Sequence, residues 1–427
     1  MSIGSASPTV SEAPAQRSAT TTASDPLASQ AQLLLERRTR LVRPFFDGQA
    51  GRLARLCHRM AERFARGGRL MAFGHSPAAL SDVRHIAVEF VHPVIVGKRA
   101  LPAMGLIAAK GRLEAQLAQI AEPSDIAVAF PGASRDAFLA AESDETRAAI
   151  AFARQRGCLT VAFTDAGAEW EIEPSADDPF VAQEIVETVY HVLWELVHVF
   201  FEHKGLLADA TGATHDAGAS SFLYPFLDRR ETDLERVLED VRRSAVMKAE
   251  EITNLRIRAM SEGDATLCSA ARALRSAFEN GAGLLVLGNG GSATDAMDAA
   301  ADYRFPPPGW RARKTIDLTE DTAIITAIAN DIGADAIFLR QIIAYGRRGD
   351  VAMAFTTSGN SRNIVQALEE ARRRGLATIA FVGYDGGEIM TRDLADYIFV
   401  VPSEYIPRIQ EAQATAHHIL RELVELA

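Results

Sequence analysis

Two short stretches in the second half of the chain carry residue types that could hold an anion. Gly288-Asn289-Gly290-Gly291-Ser292 follows the apolar run Leu284 to Leu287 and opens a helical pattern. Glycines let the backbone turn sharply and leave N–H groups pointing outward, where the helix dipole adds partial positive charge. That combination favours an anion, most often a phosphate. Thr356-Thr357-Ser358-Gly359-Asn360-Ser361 follows a second buried-strand pattern, Asp350 to Phe355, and precedes a helix from Arg362. Ligands of open α/β sheets bind at the C-terminal ends of strands. A helix cap would use one or two of these hydroxyls; the others are available to phosphate oxygens without any Lys or Arg.

Strands and helices must alternate to place such loops, and they do. The first half reads as strands at Arg69 to Phe73, Pro93 to Val96, Asp125 to Phe130 and Leu159 to Thr164, separated by helical patterns, which argues for a parallel sheet covered on both faces. Ahead of them, Leu33 to Arg66 reads as two helical patterns broken near Asp47-Gly48. Val189 to Phe201 is the most apolar helix, too short to span a bilayer. Asp228 to Met260 is helical and charged, and the strand series then restarts. Residues 1–29, rich in Ala, Ser, Thr and Pro without periodicity, read as a disordered tail without a signal peptide's basic start or apolar core. Residues 206–222 read as a linker, leaving domains at 30–205 and 223–427. The 427 residues suffice for two domains, and a net charge of −11 disfavours nucleic-acid and anionic-membrane partners. The three scattered cysteines, Cys57, Cys158 and Cys268, fit reduced thiols in a cytoplasm.

The glycine turn, the hydroxyl loop and then Arg408-Ile409-Gln410-Glu411 with His418 downstream resemble, in that order, the sugar isomerase (SIS) superfamily. Within it the chain resembles the phosphoheptose isomerases, which act on sedoheptulose 7-phosphate. The resemblance covers Leu223 to Ala427. The first half repeats it in diverged form: Gly74 aligns with Gly288, Asp82 with Asp295, Phe130–Arg135 with Thr357–Arg362, and Gln183-Glu184 and His191 with Gln410-Glu411 and His418. The implied fold is α/β, two tandem SIS domains, each a three-layer αβα sandwich on a parallel five-stranded sheet.

The family motif places a His and a Glu four apart after the glycine turn, and a Gln and a His eight apart on the last helix. They are understood to bind a metal, usually zinc, and to move a proton between C2 and C1 through an enediol. Two acid/base groups must then flank one small substrate, and a cation would polarise its carbonyl. The first half matches all four positions with His85, Glu89, Gln183 and His191, Glu89 as base and His191 as acid. Its glycine turn has become Gly74-His75-Ser76-Pro77-Ala78, and its hydroxyl loop keeps only Ser134. The second half keeps Gln410 and His418 but has Asp298 and Asp302 where the family has His and Glu. Asp302 and His418 are its catalytic equivalents, and an oxygen-rich set favours harder cations than zinc. Its phosphate residues, Asn289, Gly290, Gly291, Ser292 and Thr356 to Ser361, are intact, and Asn330-Asp331 resemble a sugar-contacting pair.

The resemblance implies an aldose–ketose isomerase of a phosphorylated sugar, with zinc or another divalent cation and no nucleotide cofactor. A homodimer would imitate a four-domain assembly, without nucleic-acid or membrane partners. A composite site is also expected, in which His85, Glu89, Gln183 and His191 meet the phosphate loops of the other half. The alternative is a non-catalytic phosphosugar-binding or regulatory protein, which the altered Asp298 and Asp302 favour.

Overall fold

The structure is a computed structural model that describes residues 25–94, 98–107, 111–131, 138–203, 206–207 and 233–427. The first half runs α1 (Pro26–Ala65), β1 (Leu70–Phe73), α2 (Pro77–Val91), β2 (Ala103–Leu106), α3 (Leu113–Ile120), β3 (Ile126–Ala129), α4 (Phe138–Gln155), β4 (Leu159–Ala162), β5 (Trp170–Glu171) and α5 (Pro179–Glu202). The second runs α6 (Leu234–Glu279), β6 (Leu284–Gly288), α7 (Gly291–Arg304), β7 (Thr315–Asp317), α8 (Thr322–Asp331), α9 (Ile337–Tyr345), β8 (Val351–Phe355), α10 (Arg362–Arg373), β9 (Ala377–Gly383), α11 (Gly387–Thr391), β10 (Tyr397–Val401) and α12 (Ile406–Leu426). Each half holds a parallel five-stranded sheet, ordered β2-β1-β3-β4-β5 and β7-β6-β8-β9-β10, so corresponding strands sit in corresponding places.

The strands are apolar on both faces, as parallel strands must be. Leu70 and Ala72 face one core while Met71 and Phe73 face another, and Leu284 and Val286 alternate likewise with Leu285 and Leu287. The inner faces of the two sheets share one continuous core with α1, α2, α5, α6, α7 and α12. In that layer α1 packs along α6, α2 against α7 and α5 against α12, so each helix meets its own counterpart across an approximate two-fold axis. Among the described residues no helix is long and apolar enough to cross a membrane.

Three details depart from the sequence expectation. Helix α1 is continuous through Pro44 and Gly48 and begins at Pro26, capped by Asp25. Its apolar face (Val42, Phe46, Ala50, Leu53) stays buried across the expected break, and that burial outweighs a glycine cost of about 1 kcal/mol. A strand at Ala103–Leu106 lies beside β1, Leu70 pairing with Ala103, while Ile95 and Val96 of the expected strand Pro93–Val96 lie outside the described residues. Most of the 206–222 linker, residues 1–24 of the tail, and Gly132, Ala133 and Ser134 lie outside the described residues.

Arg38 of α1 clasps the two halves. It is fully buried, with Nε 2.8 Å from Glu184 Oε1 on α5 and NH2 2.6 Å from Glu422 Oε2 on α12. Removing one side of a buried ion pair leaves uncompensated charge and costs about 3–5 kcal/mol. Arg38→Met is therefore expected to lower the unfolding free energy of the whole chain, read from urea titration, by that order, and an unchanged value would remove Arg38 as the clasp.

Candidate active site

The second-half anion loops are open. Gly290 (φ 59°) caps α7 without a side-chain hydrogen bond, so the first N–H groups of that helix face outward. Gly288 must be glycine, because a Cβ there would lie 2.0 Å from the Ser292 carbonyl oxygen. The side chains of exposed Asn289 and half-buried Asn363 bond each other at 2.9 Å, joining the turn to the start of α10. In the hydroxyl loop Thr356 Oγ1 accepts from Gly359 N at 3.3 Å and Ser358 Oγ from Asn360 N at 3.2 Å, while the Ser361 hydroxyl does not close the cap of α10. The first-half turn is closed instead. Ser76 Oγ accepts from Ala79 N at 3.0 Å, and Pro77 removes an N–H from the start of α2.

The four helices α2, α5, α7 and α12 bring the remaining candidates together at the centre. His85 Nε2 lies 3.3 Å from His191 Nε2, 3.3 Å from Gln410 Nε2 and 3.9 Å from Glu89 Oε1. A Cβ at Gly291 would lie 3.3 Å from His85 Nε2 and 2.1 Å from Gln410 Nε2, so the second-half glycine turn abuts the first-half histidine. Gln183 is not the glutamine of this group. Its Nε2 donates to Asp298 Oδ1 at 2.8 Å, and the two glutamines exchange halves. The mirror cluster holds Asp298, Asp302 and His418, with His418 Nε2 3.0 Å from Asp298 Oδ2 and 3.6 Å from Asp302 Oδ2. Asn330 and Asp331 sit exposed at the end of α8, bonded to each other at 2.8 Å.

Sequence reasoning left four central residues without a role. Glu411 accepts from His191 Nδ1 at 2.9 Å, and Glu184 accepts from His418 Nδ1 at 2.9 Å, so each half orients the other's histidine. The alignment of Gln183-Glu184 with Gln410-Glu411 held that signal. Glu187, with His85 and His191, offers ligand atoms within 4.8 Å of one another, and His417 does so with Asp298, Asp302 and His418.

Burial governs the electrostatics. It pushes Glu89 up to about 7, with Glu195 and Glu411 adding and His191 opposing. Burial, then His191, hold His85 well below the usual histidine range, so its ring is neutral. Burial opposes charge on His418, but its bonds to Asp298 and Glu184 hold it well above that range as an imidazolium. Asp82, Asp295 and Asp302 are raised by burial and by the nearby Asp298 charge.

The His85 group fits a divalent cation. Glu411 holds the Nδ1 side of His191, which turns its Nε2 to within 3.3 Å of His85 Nε2, with the Gln410 amide nitrogen equally near. The buried Glu89 Oε2, Glu187 Oε1 and Gln410 Oε1 have no hydrogen-bond partner among the described residues, and a cation would engage such oxygens together with the ring nitrogens.

Two parallel five-stranded sheets with glycine- and hydroxyl-rich turns at strand ends and a polar centre between the halves define a two-unit α/β protein. The model of the SIS domain family matches residues 249–383. The phosphoheptose isomerase of Geobacter sulfurreducens is 48% identical over 161 residues, covering 37% of this chain and 84% of that protein. That of Aquifex aeolicus is 46% identical over 154 residues, covering 36% and 79%. The chain belongs to the SIS family. The two-domain arrangement matches the C-terminal domain of glucosamine-fructose-6-phosphate aminotransferase from Francisella tularensis (TM-score 0.53, 10% identity, 93% of this chain and 95% of that one), a likeness of fold alone.

Glu411 also sets an acid limit on stability. Burial works against its charge, but Arg408 and the His191 bond bring it down to about 2 from an ordinary 4.5. A carboxylate depressed on folding contributes stability above its unfolded value and loses it as pH falls towards the folded one. Glu411→Gln is expected to destabilise the chain at pH 7, because Arg408 and His191 each lose a buried carboxylate partner, Glu195 remaining to Arg408 at 3.1 Å. The gap to wild type should narrow between pH 4.5 and 2 in urea titrations. Parallel pH curves would show that folding does not depress the Glu411 carboxyl.

Proposed function

We propose that the chain is an aldose–ketose isomerase of a phosphorylated sugar of the sedoheptulose 7-phosphate type, with one working site built from both halves. The observation that carries this reading is the approach of Gly291 to His85 and Gln410, which puts the open phosphate turn of one half beside the acid/base groups of the other. The α7 N-terminus, Ser292 and the Thr356–Ser361 loop receive the phosphate. The sugar carbonyl then extends towards α2 and α5. Glu89, raised to about 7 by burial, takes the proton from the carbon beside the carbonyl and returns it to the other carbon. His191 is held in orientation by Glu411, with its Nε2 turned to the cavity. That Nε2 either exchanges the proton on oxygen or, with His85 and Glu187, would hold a divalent cation that polarises the carbonyl and stabilises the enediolate. The mirror site is unsuited to this chemistry: its imidazolium is tied to two carboxylates and its own phosphate turn is closed.

Glu89→Gln should lower kcat on sedoheptulose 7-phosphate about 10²–10⁴-fold. Ser358→Ala should chiefly raise KM, by about tenfold for about 1.4 kcal/mol of lost phosphate binding. Loss in Ser358→Ala with full activity in Glu89→Gln would move the chemistry to the second half. Phosphosugar binding without turnover in wild type would favour the regulatory reading, which the altered Asp298 and Asp302 support.

A further inference from the structure

We propose that Asn363 is a positioning residue for phosphate binding: its side-chain amide, paired with that of Asn289, braces the glycine turn against the hydroxyl loop so that both present their donors to one phosphate group. The inference rests on the reading that these two loops receive the phosphate, and it adds a residue that belongs to neither of them.

The two loops leave the sheet from neighbouring strands. Gly288 at the end of β6 lies in register with Phe355 at the end of β8, and beyond that point the turn and the loop are separate pieces of backbone. The hydroxyl loop is tied down on its other side. Gly383 N of β9 donates to the Thr357 carbonyl at 2.9 Å. From α11, Ile389 N donates to the Gly359 carbonyl at 3.1 Å and Glu388 N to Asn360 Oδ1 at 2.8 Å. The glycine turn has no such backing. Past the ladder between β6 and β8, the hydrogen bonds that join it to the hydroxyl loop or α10 among the described residues are the two between Asn289 and Asn363, each 2.9 Å.

The pair is reciprocal. Asn289 Nδ2 donates to Asn363 Oδ1, and Asn363 Nδ2 donates to Asn289 Oδ1. Ile364 N, at the start of α10, also donates to Asn363 Oδ1 at 3.0 Å. A backbone N–H of the helix thus sets which end of the Asn363 amide accepts, and the Asn289 amide follows. Gly290, with φ 59°, and Gly291 come next. Two glycines in succession leave a turn much backbone freedom, which a ligand must remove on binding. A brace that removes it beforehand raises affinity without touching the ligand. The first half supplies the contrast. By the same alignment Asn289 corresponds to His75 and Asn363 to Asp136, so the half whose turn is closed by Ser76 and Pro77 carries no pair of amides at these positions.

The test is a phosphorus NMR titration of the full chain with inorganic phosphate, run on Asn289→Ala, Asn363→Ala, their double variant and Ser358→Ala. Each single Asn variant should bind phosphate about fivefold to tenfold more weakly, the order of one lost hydrogen-bonded pair. The double variant should bind no more weakly than either single one, because both remove the same pair. With sedoheptulose 7-phosphate, Asn363→Ala should raise KM by the same factor. It should leave kcat, and the melting temperature without phosphate, unchanged, a split that general loosening of the fold would not give. Losses that add in the double variant, or full binding in Asn363→Ala beside weakened binding in Ser358→Ala, overturn the brace and leave the phosphate loops standing. Wild type that takes up no phosphate, or Ser358→Ala that binds it as wild type does, overturns the loop reading and the brace with it. The expected binding pattern in a chain that turns over no sugar upholds the brace and removes only the isomerase reading.

Discussion

The structure depends on an exchange of imidazole–carboxylate bonds between α5 and α12. His191 gives its Nδ1–H to Glu411, and His418 gives its own to Glu184. Both carboxylates are fully buried, which alone would cost several kcal/mol per ion. Their neutralising partners are spread over the chain: Arg38 on α1 serves Glu184, and Arg408 on α12 serves Glu411. Arg256 on α6 points an NH2 at the Glu411 carbonyl at 3.5 Å. None of these charges is tolerable in an apolar layer unless the helices from both halves are in place. The central layer is therefore a single cooperative unit with the two sheets built on its faces. The same exchange fixes the orientation of each histidine ring, so what holds the halves together also decides which ring nitrogen faces the cavity.

Much of this was legible in the residues. The strand series, both anion loops and the aligned positions of the two halves follow from local pattern, because parallel strands are uniformly apolar and their turns are rich in glycine and hydroxyls. Three kinds of information were not local. The path of α1 through Gly48 is decided by burial against α6, which no window of sequence contains. Strand Ala103–Leu106 is short, small and half-buried, so its signal is weaker than that of the β-branched stretch before it. The partner of each glutamine is a property of the two-fold packing: Gln183 and His191 lie on one helix, yet Gln183 serves Asp298 while His191 serves His85. His417 and Glu187 fell outside the family motif and became visible only when the helices converged.

The crossed glutamines change how the two halves' losses should be read. Taken half by half, the chain looks doubly impaired: the first half has acid/base groups and a closed turn, the second an open turn and altered acids. Taken site by site, the losses coincide. The open turn at Gly290–Ser292 belongs with His85, Glu89, His191 and Gln410, since Gly291 touches that group. By the same two-fold relation the turn closed by Ser76 and Pro77 belongs with Asp298, Asp302, His418 and Gln183. Random decay of two independent domains would scatter damage over both sites. Here one side of the interface has the open turn with His85, Glu89, His191 and Gln410, and the other has the closed turn with Asp298, Asp302, His418 and Gln183. Once tandem domains lie in one chain, each side of the interface can change without its counterpart, which an assembly of identical subunits forbids.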